Sequence, residues 1–374
     1  MQGIYIHIPF CSQACHYCDF HFSTSLSSRN EMVQMICREI ELRCDYLDKK
    51  NLDTVYFGGG TPSILSPQEL ERIVNLIHKH FLITKDTEIT MEANPDDLTK
   101  EKLLELKQIG VNRLSIGIQS FHNDHLKYLH RIHSSEQAAL SVKRAQETGF
   151  NNISIDLIYG IPAESHQIWF SDLEKALSLN VQHISSYCLT IEPNTVFGKW
   201  LKMNKIKNTE EEFSAIQFEM LIKGMTDHGY EHYEVSNFSK PGFHSHHNSN
   251  YWLGGHYLGI GPAAHSYNGD SRQYNVANNA GYIKSIKEGI VPKEVENLSE
   301  KDKINEYILT GVRTKWGCDF LMLQNKFNMD ITSFKKILEP YTLNGYLEYE
   351  NGIAKLTSKG MLIADKITRD LFLV

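Results

Sequence analysis

Three observations on this 374-residue sequence predict a parallel α/β fold, with an open sheet or one curled into a partial (β/α)6 TIM-like barrel, and a small C-terminal winged-helix-like domain. Six short β-branched or aromatic runs alternate with amphipathic helical patterns up to about residue 190. Polar residues fall at or near the carboxyl ends of those runs, where parallel α/β folds build their sites. From about residue 299 the pattern changes to helices followed by a hairpin.

The runs are IYIHI (4–8), TVYF (54–57), EITME (88–92), RLSIGI (113–118), ISIDLIY (153–159) and HISSYCL (183–189). Their spacing is that of βα units joined by right-handed crossovers. Between the second and third runs, Leu70, Ile73, Val74, Ile77 and Phe81 recur at helical spacing, behind Ser66 as N-cap and Pro67 at the first helical position. A cysteine loop follows the first run and GGGTPS (58–63) follows the second. Glu92 ends the third run, Gln119 follows the fourth, and Asp156 lies toward the end of the fifth. The expected division is a core at 1–190, an irregular extension at 191–298 with one helix near 209–228, and the small domain at 299–374. In the last, Asn351-Gly352 reads as the turn of a hairpin.

Composition limits the function classes. Apolar residues make up 41% and charged residues 22%, as in ordinary globular chains, and no run approaches the ~18 apolar residues of a membrane span. Net charge is −7, and residues 299–374 carry eleven basic against ten acidic side chains, so no nucleic-acid footprint is expected. The amino terminus runs straight into a strand without the marks of a signal peptide, which makes the cytosol the expected compartment. A disulfide framework is not expected from seven cysteines in such a chain. Cys37 and Cys44 read as core residues on one helix face, and Cys188 and Cys318 as isolated.

The other three cysteines, Cys11, Cys15 and Cys18, stand within CSQACHYC. Structural zinc wants four closed ligands, with His16 an awkward fourth. A [4Fe–4S] cluster on three thiolates leaves one iron open to a small molecule. This loop, with GGGTP after the second strand, resembles the radical S-adenosylmethionine (SAM) proteins, whose partial barrel the resemblance implies here. IYIHIPFC, YFGGGTPS, EANPDD, RLSIGIQSF, LHRIH and NISIDLIYGIP narrow it to the group that contains oxygen-independent coproporphyrinogen III oxidase and a related haem chaperone. The resemblance implies a cluster on the three cysteines. It also implies SAM contacts at Tyr5, Gly59, Gly60, Thr61, Glu92, Gln119, Arg131 and Asp156, with glycine admitting the ligand to the backbone. Tyr17 is expected against the cluster or the adenine. Without the resemblance, Arg131 reads as a surface ion pair.

Two features separate carrier from oxidase. The oxidase pattern has a further cysteine two residues after the third, where this chain has Phe20. HNSNYW (247–252) matches the HNxxYW motif of the chaperone group. Haem iron commonly takes a histidine and its macrocycle an aromatic wall. His247, Asn248, Tyr251 and Trp252 are therefore the expected haem-binding residues, with the alternative that they are ordinary core residues. Five of eighteen histidines lie between 244 and 265, and His244, His246 and His247 together could take adventitious zinc or nickel. The implied partners are haem and an acceptor protein, membrane respiratory enzymes among the candidates. A homodimer and a peripheral position at the membrane are compatible with this. The competing functions are oxidative decarboxylation of coproporphyrinogen III and radical chemistry on an unrelated substrate.

Overall fold

Each of the six expected runs is a strand in the computed structural model of the chain, which describes residues 1–373: β1 Gln2–Ile8, β2 Thr54–Gly59, β3 Glu88–Ala93, β4 Arg113–Gln119, β5 Ile153–Tyr159 and β6 His183–Cys188. They pair in chain order and every pair is parallel. Asp156 is the middle residue of β5, deeper than the sequence placed it, and β4 extends to include Gln119.

Side chains alternate along these strands with a period of two. One face is apolar and buried: Ile4 and Ile6, Val55 and Phe57, Ile89 and Met91, Leu114 and Ile116, Ile153 and Ile155, Ile184. The helices of the crossovers cover it. The helix Pro67–His80 shows why they form where they do: Ser66 Oγ accepts from Glu69 N–H at 3.3 Å, and Glu69 answers by accepting from Ser66 N–H at 2.8 Å. Its Leu70, Ile73 and Ile77 are fully buried. The other strand face carries Tyr5, Tyr56, Glu92, Ser115 and Asp156. Bonds from Tyr56 Oη to Glu92 (2.7 Å) and from Ser115 Oγ to Asp156 (3.2 Å) join this face across neighbouring strands around one interior. The sheet is thus a partial barrel with a polar inside.

The first helix, Arg29–Leu42, stops before Cys44, so Cys37 and Cys44 do not share a helix face; both still pack on the core. Residues 191–298 are far more regular than expected. They add β7 Glu231–Glu234, β8 Asn237–Ser239, β9 His256–Ile260, β10 His265–Tyr267, β11 Ser271–Asn275 and β12 Lys293–Asn297. β8 and β7 continue the sheet beyond β6, and β9 runs parallel beside β1 with β10 to β12 following antiparallel, to give twelve strands. Between the two edges, the helix His246–Trp252 lies beneath the barrel against β1 and β2.

The carboxyl-terminal residues form a helix (Glu300–Val312), β13 Cys318–Asp319, two more helices, and the hairpin of β14 Leu347–Glu350 and β15 Ile353–Leu356. Sheet order β13-β15-β14 is that of a winged helix, and Asn351 and Gly352 turn the hairpin at φ of 53° and 85°.

Candidate functional site

At the carboxyl ends of the parallel strands opens a cavity of about 420 Å3. Its wall includes Cys11, Cys15, Tyr17, Cys18, Gly59, Gly60, Thr61, Glu92, Gln119, Arg131, Asp156 and Asn248. Residues read separately from five strand ends and one distant motif therefore share one chamber.

The cysteine loop is fastened to the barrel by its backbone: Cys11 N–H donates to Ser23 O (3.1 Å) and His16 N–H to Leu129 O (3.2 Å). Burial pushes the Cys18 thiol up to about 11 and raises that of Cys11. Those two thiols are thus held protonated in the ligand-free chain, and a cluster would have to displace their protons. Among the described residues no three His, Cys, Asp or Glu side chains converge as a single metal ion would need. A cluster makes a different demand, since each thiolate meets its own iron, and three thiols around one wall of a chamber suit that.

Arg131 is no surface ion pair. Its guanidinium donates to Asn94 Oδ1 (2.6 Å), Gly117 O (3.0 Å) and Cys15 Sγ (3.3 Å), which locks the cysteine loop to β3 and β4. Glu92 and Asp156 lie deeper. Loss of hydration raises Glu92 to about 7, with the Asp156 charge adding and the Tyr56 hydroxyl opposing. The same loss raises Asp156 to about 6 against the pull of Arg113. Two carboxyl groups short of water in a chamber suit ligand hydroxyl or ammonium groups. Gln119 has φ of +68°, beside a register shift between β4 and β5, which re-aims its side chain at the end of the strand.

The glycines at the cavity wall also answer a need of the chain itself. A Cβ on Gly60 would lie 2.5 Å from Phe10 O and 2.8 Å from Ile8 O, and one on Gly59 would meet the His7 ring at 2.6 Å. The chain's own packing against β1 and the residues after it thus requires the missing Cβ. Tyr5 is outside the cavity wall: its hydroxyl meets His7 Nδ1 at 3.2 Å and its ring stacks on Tyr56. Tyr56, unremarked in the sequence, lines the cavity instead. Asn94, Ser115, Ser185, Tyr187 and Cys188 also line the chamber and were missed. For Tyr56, Ser115 and Ser185 the signal was present in the alternation of each strand.

His247, expected to bind haem, lies on the barrel floor with both ring nitrogens hydrogen-bonded. Its ring is 1% exposed, with Nδ1 2.7 Å from Thr54 Oγ1 and Nε2 2.8 Å from Tyr251 Oη. Burial, helped by Arg113, lowers its pKa to about 3, so it is neutral. Both nitrogens are engaged by hydroxyl groups, so iron could bind only by displacing Thr54 or Tyr251 from the ring. The helix that carries it is seated on the barrel floor by Glu88, whose carboxylate accepts from the N–H groups of His246 (3.1 Å) and His247 (3.0 Å). Tyr251 is spent on His247 and on an edge-on contact with Tyr257 at 4.5 Å, and Trp252 is half-buried. Of the four, only Asn248 reaches the cavity. His244 binds Glu231 at 2.9 Å on another face, so the three nearby histidines do not form one metal site.

Comparison with known proteins accords with this geometry. Residues 5–175 match the radical SAM superfamily and residues 298–363 the HemN C-terminal domain. The chain is 34% identical to Heme chaperone HemW of Bacillus subtilis, over 98% of both chains. It is 37% identical to the Lactococcus lactis protein of that name, over 90% of this chain and 87% of the other. Among solved structures, coproporphyrinogen III oxidase (HemN) of Escherichia coli, a radical SAM enzyme, superposes with a TM-score of 0.85 at 22% identity, covering 99% of this chain and 89% of its own, a likeness of fold. The thiol-lined mouth, the parallel partial barrel and the near full-length similarity agree: the chain belongs to the HemW family of radical SAM proteins.

Proposed function

We propose that this protein is a haem chaperone that holds a [4Fe–4S] cluster and SAM at the barrel mouth and passes haem to an acceptor protein. The observation that carries the haem reading is the similarity over 98% of both chains to a relative named for haem carriage. The cluster would sit on Cys11, Cys15 and Cys18, and would supply an open iron and an electron. SAM would lie between that loop and the GGGTP turn, with Glu92 and Asp156 facing its polar groups. The residues themselves support both: partly buried thiols around one wall, dehydrated carboxyls beneath them, and a chamber of the size that small ligands fill. Phe20, where the oxidase pattern has cysteine, is 72% exposed at the cavity rim and speaks against coproporphyrinogen chemistry. No helix among the described residues is long and apolar enough to cross a membrane, so work on a membrane-bound acceptor would be done from the surface.

Anaerobic titration with hemin, beside an assay with coproporphyrinogen III, SAM and a low-potential reductant, tests this. Stoichiometric development of a Soret band without porphyrinogen turnover is expected. Catalytic turnover with no hemin binding would replace the carrier by the oxidase.

A further inference from the structure

With both nitrogens of His247 hydrogen-bonded, the haem reading calls for a histidine with a freer nitrogen. His130 is the histidine whose surroundings answer that need. It is exposed on the rim of the cavity and adopts φ of +63°, where glycine is favoured over any residue with a Cβ. Three bonds hold it there: its N–H donates to Lys127 O (3.1 Å), its carbonyl accepts from Gln13 Nε2 (2.8 Å), and its Nδ1–H donates to Ala14 O (2.7 Å). The His16 ring lies flat against it, centroids 4.4 Å apart and planes 3° from parallel, with its own Nδ1–H on Tyr128 O at 3.1 Å.

Each ring thus has its proton fixed on Nδ1, and no group among the described residues bonds either Nε2. That is how metal-binding histidines are prepared: a backbone carbonyl on one nitrogen sets the tautomer and the ring direction, leaving the other as the donor. His16 is the more enclosed of the two, with Phe197 and Trp200 edge-on at 5.5 and 4.7 Å, and it acts as the support. The same rim carries unusual apolar exposure. Phe20, Ile132 and Tyr187 are 72%, 52% and 45% exposed around a concave mouth, an area that a flat apolar ligand would cover.

We propose that haem binds across the barrel mouth with His130 Nε2 as axial ligand to its iron and Phe20, Ile132 and Tyr187 against the macrocycle, an assignment that rests on the haem reading above and completes it. Because Gln13, Ala14 and His16 belong to the cysteine loop, the segment that carries the thiols also orients the haem ligand.

The test is hemin titration of the full chain, followed by absorption and EPR spectra. His130→Gly suits the local φ, so the variant should melt no lower than the wild type. It should bind hemin more weakly by roughly tenfold or more and lose the imidazole-ligated spectrum, which added imidazole should restore. His247→Gln, checked to be folded, should keep the wild-type spectrum. A double variant, His16→Phe with His130→Gly, removes the neighbour that could take over. Wild-type titrations from both the single and the double variant would overturn the ligand assignment and leave the haem reading standing. A folded His247→Gln protein without the imidazole-ligated spectrum would overturn it too. A wild-type chain that gives no Soret change would remove the haem reading and the ligand assignment together.

Discussion

Both ends of the barrel are built from polar residues, yet they differ in how those residues are satisfied. At the floor, Thr54, His247 and Tyr251 form a closed chain of bonds, and Ser154, His183 and Tyr233 form another, His183 standing 2.7 Å from each partner. Glu88 closes the helix His246–Trp252 onto the strands and lies 4.0 Å from the buried Arg113. At the mouth, thiols, carboxyls and imidazole nitrogens face a chamber with bonding capacity to spare. The difference teaches that a polar cluster inside a barrel is no sign of a binding site by itself. Spare capacity that faces an open chamber is the better sign, and the chamber lies at the carboxyl ends of the strands.

The comparison breaks most sharply if the thiols are removed. Replacing Cys11, Cys15 and Cys18 together with alanine should abolish iron and sulfide binding after anaerobic reconstitution, while circular dichroism and melting stay near the wild type. A full complement of four irons in that variant would show that the cluster is held elsewhere.

A smaller but still large effect is expected at the floor. Glu88→Ala leaves Arg113 buried without its carboxylate and two helix N–H groups without an acceptor, and should cost about 3–5 kcal/mol of stability. Denaturant unfolding of the cluster-free protein measures it. A loss under about 1 kcal/mol would mean that the floor, too, has capacity to spare.

The smallest effect sharpens the contrast by pH. Glu92 and Asp156 have pKa values raised to about 7 and about 6, so the folded, ligand-free chain binds more protons than the unfolded chain between about pH 4 and 7. Its stability should therefore fall as pH rises through that window. Glu92→Gln should remove part of the fall and melt roughly 2 °C higher than the wild type at pH 8, with the two equal near pH 4. SAM, if it pairs with Glu92, should narrow the gap. Equal melting at both pH values would show that Glu92 is not dehydrated.

The sequence by itself determined whatever depends on neighbours along the chain. Six strands are legible from short β-branched runs, the helix Pro67–His80 from Ser66 and Pro67, the hairpin from Asn351-Gly352, and the thiol set from the spacing of Cys11, Cys15 and Cys18. Each rests on local backbone preference or on ligands a few residues apart. Tertiary structure alone decided the rest. β8, at three residues, is too short to be read as a strand, β9 lies in a stretch with no regular pattern, and both form because the edges of β6 and β1 offer them unpaired backbone groups. His247 reads as a ligand in HNSNYW and is a floor residue because Thr54, 193 positions away, takes its Nδ1. His130 passes unnoticed in LHRIH and becomes a candidate ligand because the Ala14 carbonyl, 116 positions earlier, accepts its Nδ1–H and leaves Nε2 free. Whether a histidine is spent or available depends on which partners the fold brings to its two nitrogens, and such partners lie beyond the reach of any local pattern.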